Sequence, residues 1–237
     1  MRLGNYIILF IISSILSLGC SSSAESWFEE AKARMKKGDL ITAREAIEKA
    51  LEKNPGYSEA YNLRGVINFQ EKKIDEAILD YQKSVDLKPS NYLGQLNLAA
   101  AFMEKNAWKD AVNPIEKAIK IAPDSSAGYL QRGIIRAALH QIDLSKEDFK
   151  TSIKLNPKEI NAFYNRGNLY FQEDKLDSAI LDFEQTISLN SEYGKSYYAL
   201  GLSYYKKNNF EKSCLAFNQA SKLNYPGAKD ALKNLCK

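Results

Sequence analysis

The chain has 237 residues, of which 45% are hydrophobic and 26% charged, ordinary values for a folded body that speak against disorder. Its formal net charge is +4, and lysines and glutamates alternate along it; that argues against a nucleic-acid footprint and for solvated helical surfaces. With three cysteines (Cys20, Cys214, Cys236) and one histidine (His140), a disulfide scaffold is excluded and a zinc site has almost nothing to work with.

Residues 1–19 read as a secretory leader. Arg2 supplies a minimal basic start, and Tyr6 to Leu18 carries no charge. That run has the length of a signal core and falls short of the ~20 residues a spanning helix needs. It ends in Ser17-Leu18-Gly19-Cys20, followed by three serines. This stretch resembles a bacterial lipobox, with Ser17 standing where leucine is usual. The resemblance implies that Cys20 is lipidated and that 20–23 is a short tether, held to the membrane through N-terminal acyl chains. The other reading is an ordinary cleaved leader with a coincidental cysteine. The lipidated reading puts the protein in the bacterial cell envelope. Ser21, which is not the aspartate of inner-membrane retention, points to the periplasm-facing outer membrane.

From Ala24 onward the chain repeats. Pro55, Pro89, Pro123 and Pro157 are each 34 residues apart, and a fixed period of this size marks stacked supersecondary units. With proline at position 32, the units are 24–57, 58–91, 92–125, 126–159, 160–193 and 194–225. Position 8 is always small: Ala31, Gly65, Ala99, Gly133, Gly167, Gly201. Position 20 is also small (Ala43, Ala77, Ala111, Ser145, Ala179, Ser213), and position 24 is bulky (Ile47, Tyr81, Ile115, Phe149, Phe183, Phe217). Small residues let two helices approach, large ones fill the space around the contact, and proline stops the second helix. Pro114, inside the second helix of unit three, predicts a local kink. Residues 226–237 read as one further short helix, the cap a terminal repeat needs.

This pattern resembles the tetratricopeptide repeat family over nearly all of the chain after the leader. The resemblance implies an all-α fold: a right-handed superhelix, or α-solenoid, of six helical hairpins plus the C-terminal capping helix. It also implies a protein-binding scaffold, not an enzyme, with a concave face lined by the first helix of each hairpin. Other tetratricopeptide lipoproteins serve outer-membrane protein assembly, pilus secretin assembly and control of peptidoglycan hydrolases.

Arginine at position 7 and aspartate at position 23 occur in the same three repeats: Arg64 with Asp80, Arg132 with Asp148, Arg166 with Asp182. The simplest cause is a structural ion pair joining the two helices of one hairpin. Cys214 and Cys236 either pair, closing a loop of about 20 residues worth roughly 3 kcal/mol, or remain buried thiols. No Ser-His-Asp set, phosphate loop or dinucleotide motif is legible, His140 reads as a surface turn residue, and no metal or cofactor is expected. Leu93, Leu96, Leu130 and Ile134 make the middle of the expected groove apolar. Tyr164, Asn165, Asn168, Lys195 and Tyr198 make its C-terminal part polar-aromatic. An extended peptide or amphipathic helix of a protein partner fits that groove, and contact with the chain's own N-terminal segment or with a second copy are the alternatives. The expected role is a membrane-anchored scaffold or adaptor. Its rival is a client-specific periplasmic chaperone or pilotin-type assembly factor.

Overall fold

The computed structural model describes residues 23–236. Cys20 and the leader lie outside the described residues. The chain divides into two compact units, one ending at Asn54 and one starting at Pro55.

The first unit is a hairpin of α1 (Ala24–Lys36) and α2 (Leu40–Lys53). Ser23 and Asp39 cap the two helices by accepting from the amides of Ser26 and Thr42, which satisfies donors that a helix start otherwise leaves open. Ala31, Ala43 and Ile47 are fully buried between them.

The second unit holds α3 (Ser58–Gln70), α4 (Ile74–Leu87), α5 (Tyr92–Glu104), α6 (Trp108–Ile121), α7 (Ser126–Ala138) and α8 (Ile142–Leu155). It continues with α9 (Ile160–Gln172), α10 (Leu176–Leu189), α11 (Gly194–Lys206), α12 (Phe210–Lys222) and α13 (Ala228–Leu235). Odd-numbered helices through α11 are the first, or A, helix of a hairpin; even-numbered ones are the second, or B, helix. Each B helix of this unit packs on the next helix in the chain, and each A helix from α3 to α9 also touches the next A helix, whereas neighbouring B helices have no comparable contact. The A layer therefore has the shorter spacing and lies on the inside of the stack's curve.

Two turn types build this stack. Every A helix ends with position 15 in the left-handed region: Gly38 at φ 77°, then Lys72, Asn106, His140, Asp174 and Asn208 at φ between 57° and 63°. The next amide reaches back five residues, as Gln141 N does to the Arg136 carbonyl, a Schellman closure that satisfies the orphan carbonyls. The B helices end differently. Asn54, Lys88, Ala122 and Asn156 are extended, with φ from −131° to −143°, because a following proline excludes helical backbone from the residue before it. Asn190 adopts the same conformation before Ser191. The last hairpin departs: Asn224 at φ 54° ends α12, and Gly227 at φ 79° starts α13.

Position 8 meets position 24. A methyl added at Gly133 would stand 2.6 Å from the Phe149 ring, and Gly65, Gly167 and Gly201 face Tyr81, Phe183 and Phe217 at 2.6–2.8 Å. Where position 8 is alanine, position 24 is isoleucine: Ala31 with Ile47 and Ala99 with Ile115, all fully buried. Helix α6 runs through the buried Pro114 as one 14-residue helix, the length of α4, α8 and α10.

Candidate functional site

The three arginine–aspartate pairs lie inside hairpins. Arg166 grips Asp182 with two parallel bonds, Nε to Oδ2 at 2.8 Å and Nη2 to Oδ1 at 2.7 Å. Arg64 and Arg132 hold Asp80 and Asp148 through the same two nitrogens. Each aspartate is no more than 5% exposed. Two of them have a further donor from position 11: Asn68 to Asp80 at 2.8 Å and Arg136 to Asp148 at 2.7 Å. Burial pulls the Arg132 guanidinium down and its hydrogen bonds and charge pairing with Asp148 push it up, leaving it above the ordinary arginine value. For Arg166 the hydrogen bond to Asp182 is the largest influence, and the direction is the same. These pairs hold α3 to α4, α7 to α8 and α9 to α10. A disulfide joins Cys214 of α12 to Cys236. His140 is exposed and sits in an A–B turn. Among the described residues no group of three metal-ligating side chains comes together, and no helix is long and apolar enough to cross a membrane.

The residues of the expected groove fall on four A helices that touch in sequence: Leu93 and Leu96 on α5, Leu130 and Ile134 on α7, Tyr164, Asn165 and Asn168 on α9, Lys195 and Tyr198 on α11. They differ in what they leave for a partner. Leu93 is 55% exposed. Leu96 is half-buried against the cluster of Ala99, Ile115 and Ile135. Leu130 and Ile134 lean on the cluster of Phe149, Ala162 and Leu169. The apolar middle of this face is thus shared between groove and packing.

Its C-terminal part is a built cavity of about 140 Å³, walled by Tyr164, Asn168, Phe171, Lys195, Tyr198 and Tyr225. The Lys195 ammonium lies 4.4 Å from the centre of the Tyr164 ring and 4.5 Å from that of Tyr193, and those rings meet edge-on at 5.5 Å. Tyr198 and Tyr225 are 5.2 Å apart. Tyr193 and Tyr225 escape sequence reasoning because they stand outside the usual groove positions, one in the linker before α11 and one after the last repeat helix. Their shared signal is only that both are tyrosines near helix starts.

These features define a protein built of helical-hairpin repeats whose A helices present a continuous face ending in an aromatic pocket. Tetratricopeptide repeat models match residues 28–92, 160–193 and 194–225, over half of the chain. The chain belongs to the tetratricopeptide repeat family, whose members bind protein or peptide partners. Among curated proteins it is similar to the PEX5-related protein of Mus musculus, 29% identical over 96 residues, which is 40% of this chain and 17% of that protein. The chain thus spans less than a fifth of the length of that relative. Among solved structures it is similar to YrrB, a tetratricopeptide protein with an unusual peptide-binding site, at 22% identity and a TM-score of 0.63, covering 79% of this chain and 98% of that one. It is also similar to PilW, a widely conserved type IV pilus biogenesis factor, at 18% identity and a TM-score of 0.80, covering 89% and 98%. At these identities the likeness is one of fold.

Proposed function

We propose that this chain is a membrane-anchored scaffold or adaptor of the bacterial cell envelope, holding an extended peptide or amphipathic helix of a partner protein against its A-helix face. The observation that carries the reading is the continuous α5–α7–α9–α11 face, which ends in the aromatic pocket. A packed core alone does not call for a formed aromatic pocket at the end of one helix face. The peptide-binding site of YrrB gives the reading a precedent within the fold. The anchor rests on Gly19-Cys20 after an uncharged run. No catalytic role is part of the proposal. A client-specific periplasmic chaperone or pilotin-type assembly factor is the second reading, and the match to nearly the whole length of PilW favours it.

Two measurements test the proposal. Metabolic labelling with an alkyne palmitate should mark the wild-type chain and not Cys20→Ser; equal labelling of both removes the anchor. Leu93→Asp combined with Asn168→Asp should abolish co-purification of a partner while the helical circular dichroism and the melting temperature stay near wild type. Both side chains are partly open, so they serve this purpose better than Leu96 or Leu130, whose replacement disturbs the core. Undiminished co-purification would count against the face.

A further inference from the structure

We infer that the C-terminal cap completes a pocket for one aromatic side chain of the partner peptide, and that an acidic residue adjoins this side chain. The inference rests on the peptide-binding reading of the A-helix face and names what its C-terminal end accepts.

Size comes first. The cavity of about 140 Å³ is close to the ~150 Å³ at which an apolar protein cavity takes up benzene, so it holds one six-membered ring and little more. Its walls suit a ring. Tyr164 and Tyr198 each lean on a buried phenylalanine, Phe183 at 5.9 Å and Phe217 at 5.5 Å, and are thereby fixed for tilted or edge-on contact with a guest, the arrangement aromatic pairs prefer. Asn168 on the wall carries an amide able to bond a peptide backbone.

Charge comes second. Lys195 lies over two ring faces, and no carboxylate is placed against it among the described residues. The ring faces offer partial negative charge but no true counter-ion. An incoming carboxylate would supply one through a charge-assisted hydrogen bond, whereas a lysine on the guest would be repelled.

The cap comes third. Tyr225 belongs to none of the hairpin helices: it lies in the turn between α12 and α13. Two close approaches and one turn place it in the wall. Its ring meets that of Tyr198 at a tilt, with centres 5.2 Å apart. Its Cβ would be 3.3 Å from a methyl at Gly194, so the glycine at the start of α11 gives it room that an alanine would tighten. The left-handed Gly227 turns the chain beside the Tyr198 hydroxyl. The Cys214–Cys236 bridge and the buried Ala228 and Ala231 then pin α13 to α12. The cap therefore does more than cover the last hairpin; it supplies one side of the pocket.

The test titrates the mature chain, with tyrosine rings isotope-labelled, by N-acetyl dipeptide amides of sequence Phe-Asp, Phe-Lys and Ala-Asp, read by NMR. Phe-Asp should give saturable shifts at Tyr164, Tyr198 and Tyr225 and bind about threefold or more tighter than Phe-Lys, and Ala-Asp should not saturate. Tyr225→Ala should weaken Phe-Asp, and Lys195→Gln, a change on a partly open side chain that spares the fold, should erase the preference for Phe-Asp over Phe-Lys. Shifts centred on tyrosines of other repeats, or a preference that survives Lys195→Gln, overturn the assignment. If the partner still depends on Leu93, which lies outside the pocket, while the dipeptides do not bind, the pocket assignment fails and the peptide-binding face stands. If both fail, both readings fall.

Discussion

Asp148 carries two guanidiniums, those of Arg132 and Arg136, where Asp182 carries only that of Arg166. Removing a buried anion strands its cations, which costs about 3–5 kcal/mol for a single buried pair. Asp148→Ala should therefore destabilise more than Asp182→Ala, and a cycle with Arg132→Met should recover part of the loss; urea midpoints decide it. The basic pairing is legible in the chain because both partners occur in the same three repeats. The second arginine is not, because position 11 reads Asn68, Arg136 and Tyr170 in those repeats and shows no shared charge. Tyrosines report on burial in a similar way. Tyr204 is pushed up to about 12, first by burial and then by its hydrogen bond to Glu184 and that residue's charge, and Tyr81 is pushed higher still by burial and by Asp80. Both favour the protonated form in the folded chain. Their contribution is present in full below the unfolded value near ~10 and is lost as pH rises through the folded values. Tyrosinate absorbance should thus show a late-titrating class that shrinks in Tyr204→Phe. At the left-handed position 15, the steric strain of a side chain, roughly 1–2 kcal/mol, exceeds the roughly 0.5–1 kcal/mol that glycine loses in chain entropy. His140→Gly should raise stability by roughly 0.5 kcal/mol in urea melts.

Within a hairpin, the unit of choice is a pair of positions. Glycine at position 8 goes with an aromatic ring at position 24, and alanine with isoleucine, in all six hairpins. The closeness of Gly133 to Phe149, with 2.6 Å left for a methyl, explains the coupling. Gly133→Ala should cost about 1–3 kcal/mol by overpacking, and Phe149→Ile about as much by leaving a cavity. The double variant, which copies the Ala99–Ile115 hairpin, should cost clearly less than the sum in thermal or urea unfolding. Additive losses would mean that the ring and the glycine do not share one space. Size at positions 8, 20 and 24 is visible in the sequence because it recurs every 34 residues. The depth of the ring over the glycine is a property of the helix crossing and has no sequence signature of its own. The same holds for helix ends. The pre-proline stops of α2, α4, α6 and α8 follow from Pro55, Pro89, Pro123 and Pro157, whereas the left-handed Asn224 that ends α12 leaves only a shifted proline as its trace.

Across the second unit, function follows from which helices touch. The A helices from α3 to α11 form a continuous layer, and that layer carries Leu93, the half-buried leucines and the aromatic pocket. Repeat register places most of these side chains on one face, so the face was readable in the chain. Its division into open and packed residues was not, because Leu96, Leu130 and Ile134 serve neighbouring hairpin cores as well. The pocket was half readable: Tyr164, Asn168, Lys195 and Tyr198 occupy groove positions, and Tyr225 joins them only because the cap folds back on α11. The central claim is that partners bind the A-helix face and not the B-helix face. Photo-crosslinking residues introduced in living cells at Leu93 and Asn168, and as a comparison at Glu116 of α6 and Lys150 of α8, test it most directly. The expected result is one partner protein crosslinked from both A-helix positions and from neither B-helix position. A partner captured from Glu116 or Lys150 and not from Leu93 or Asn168 would contradict it.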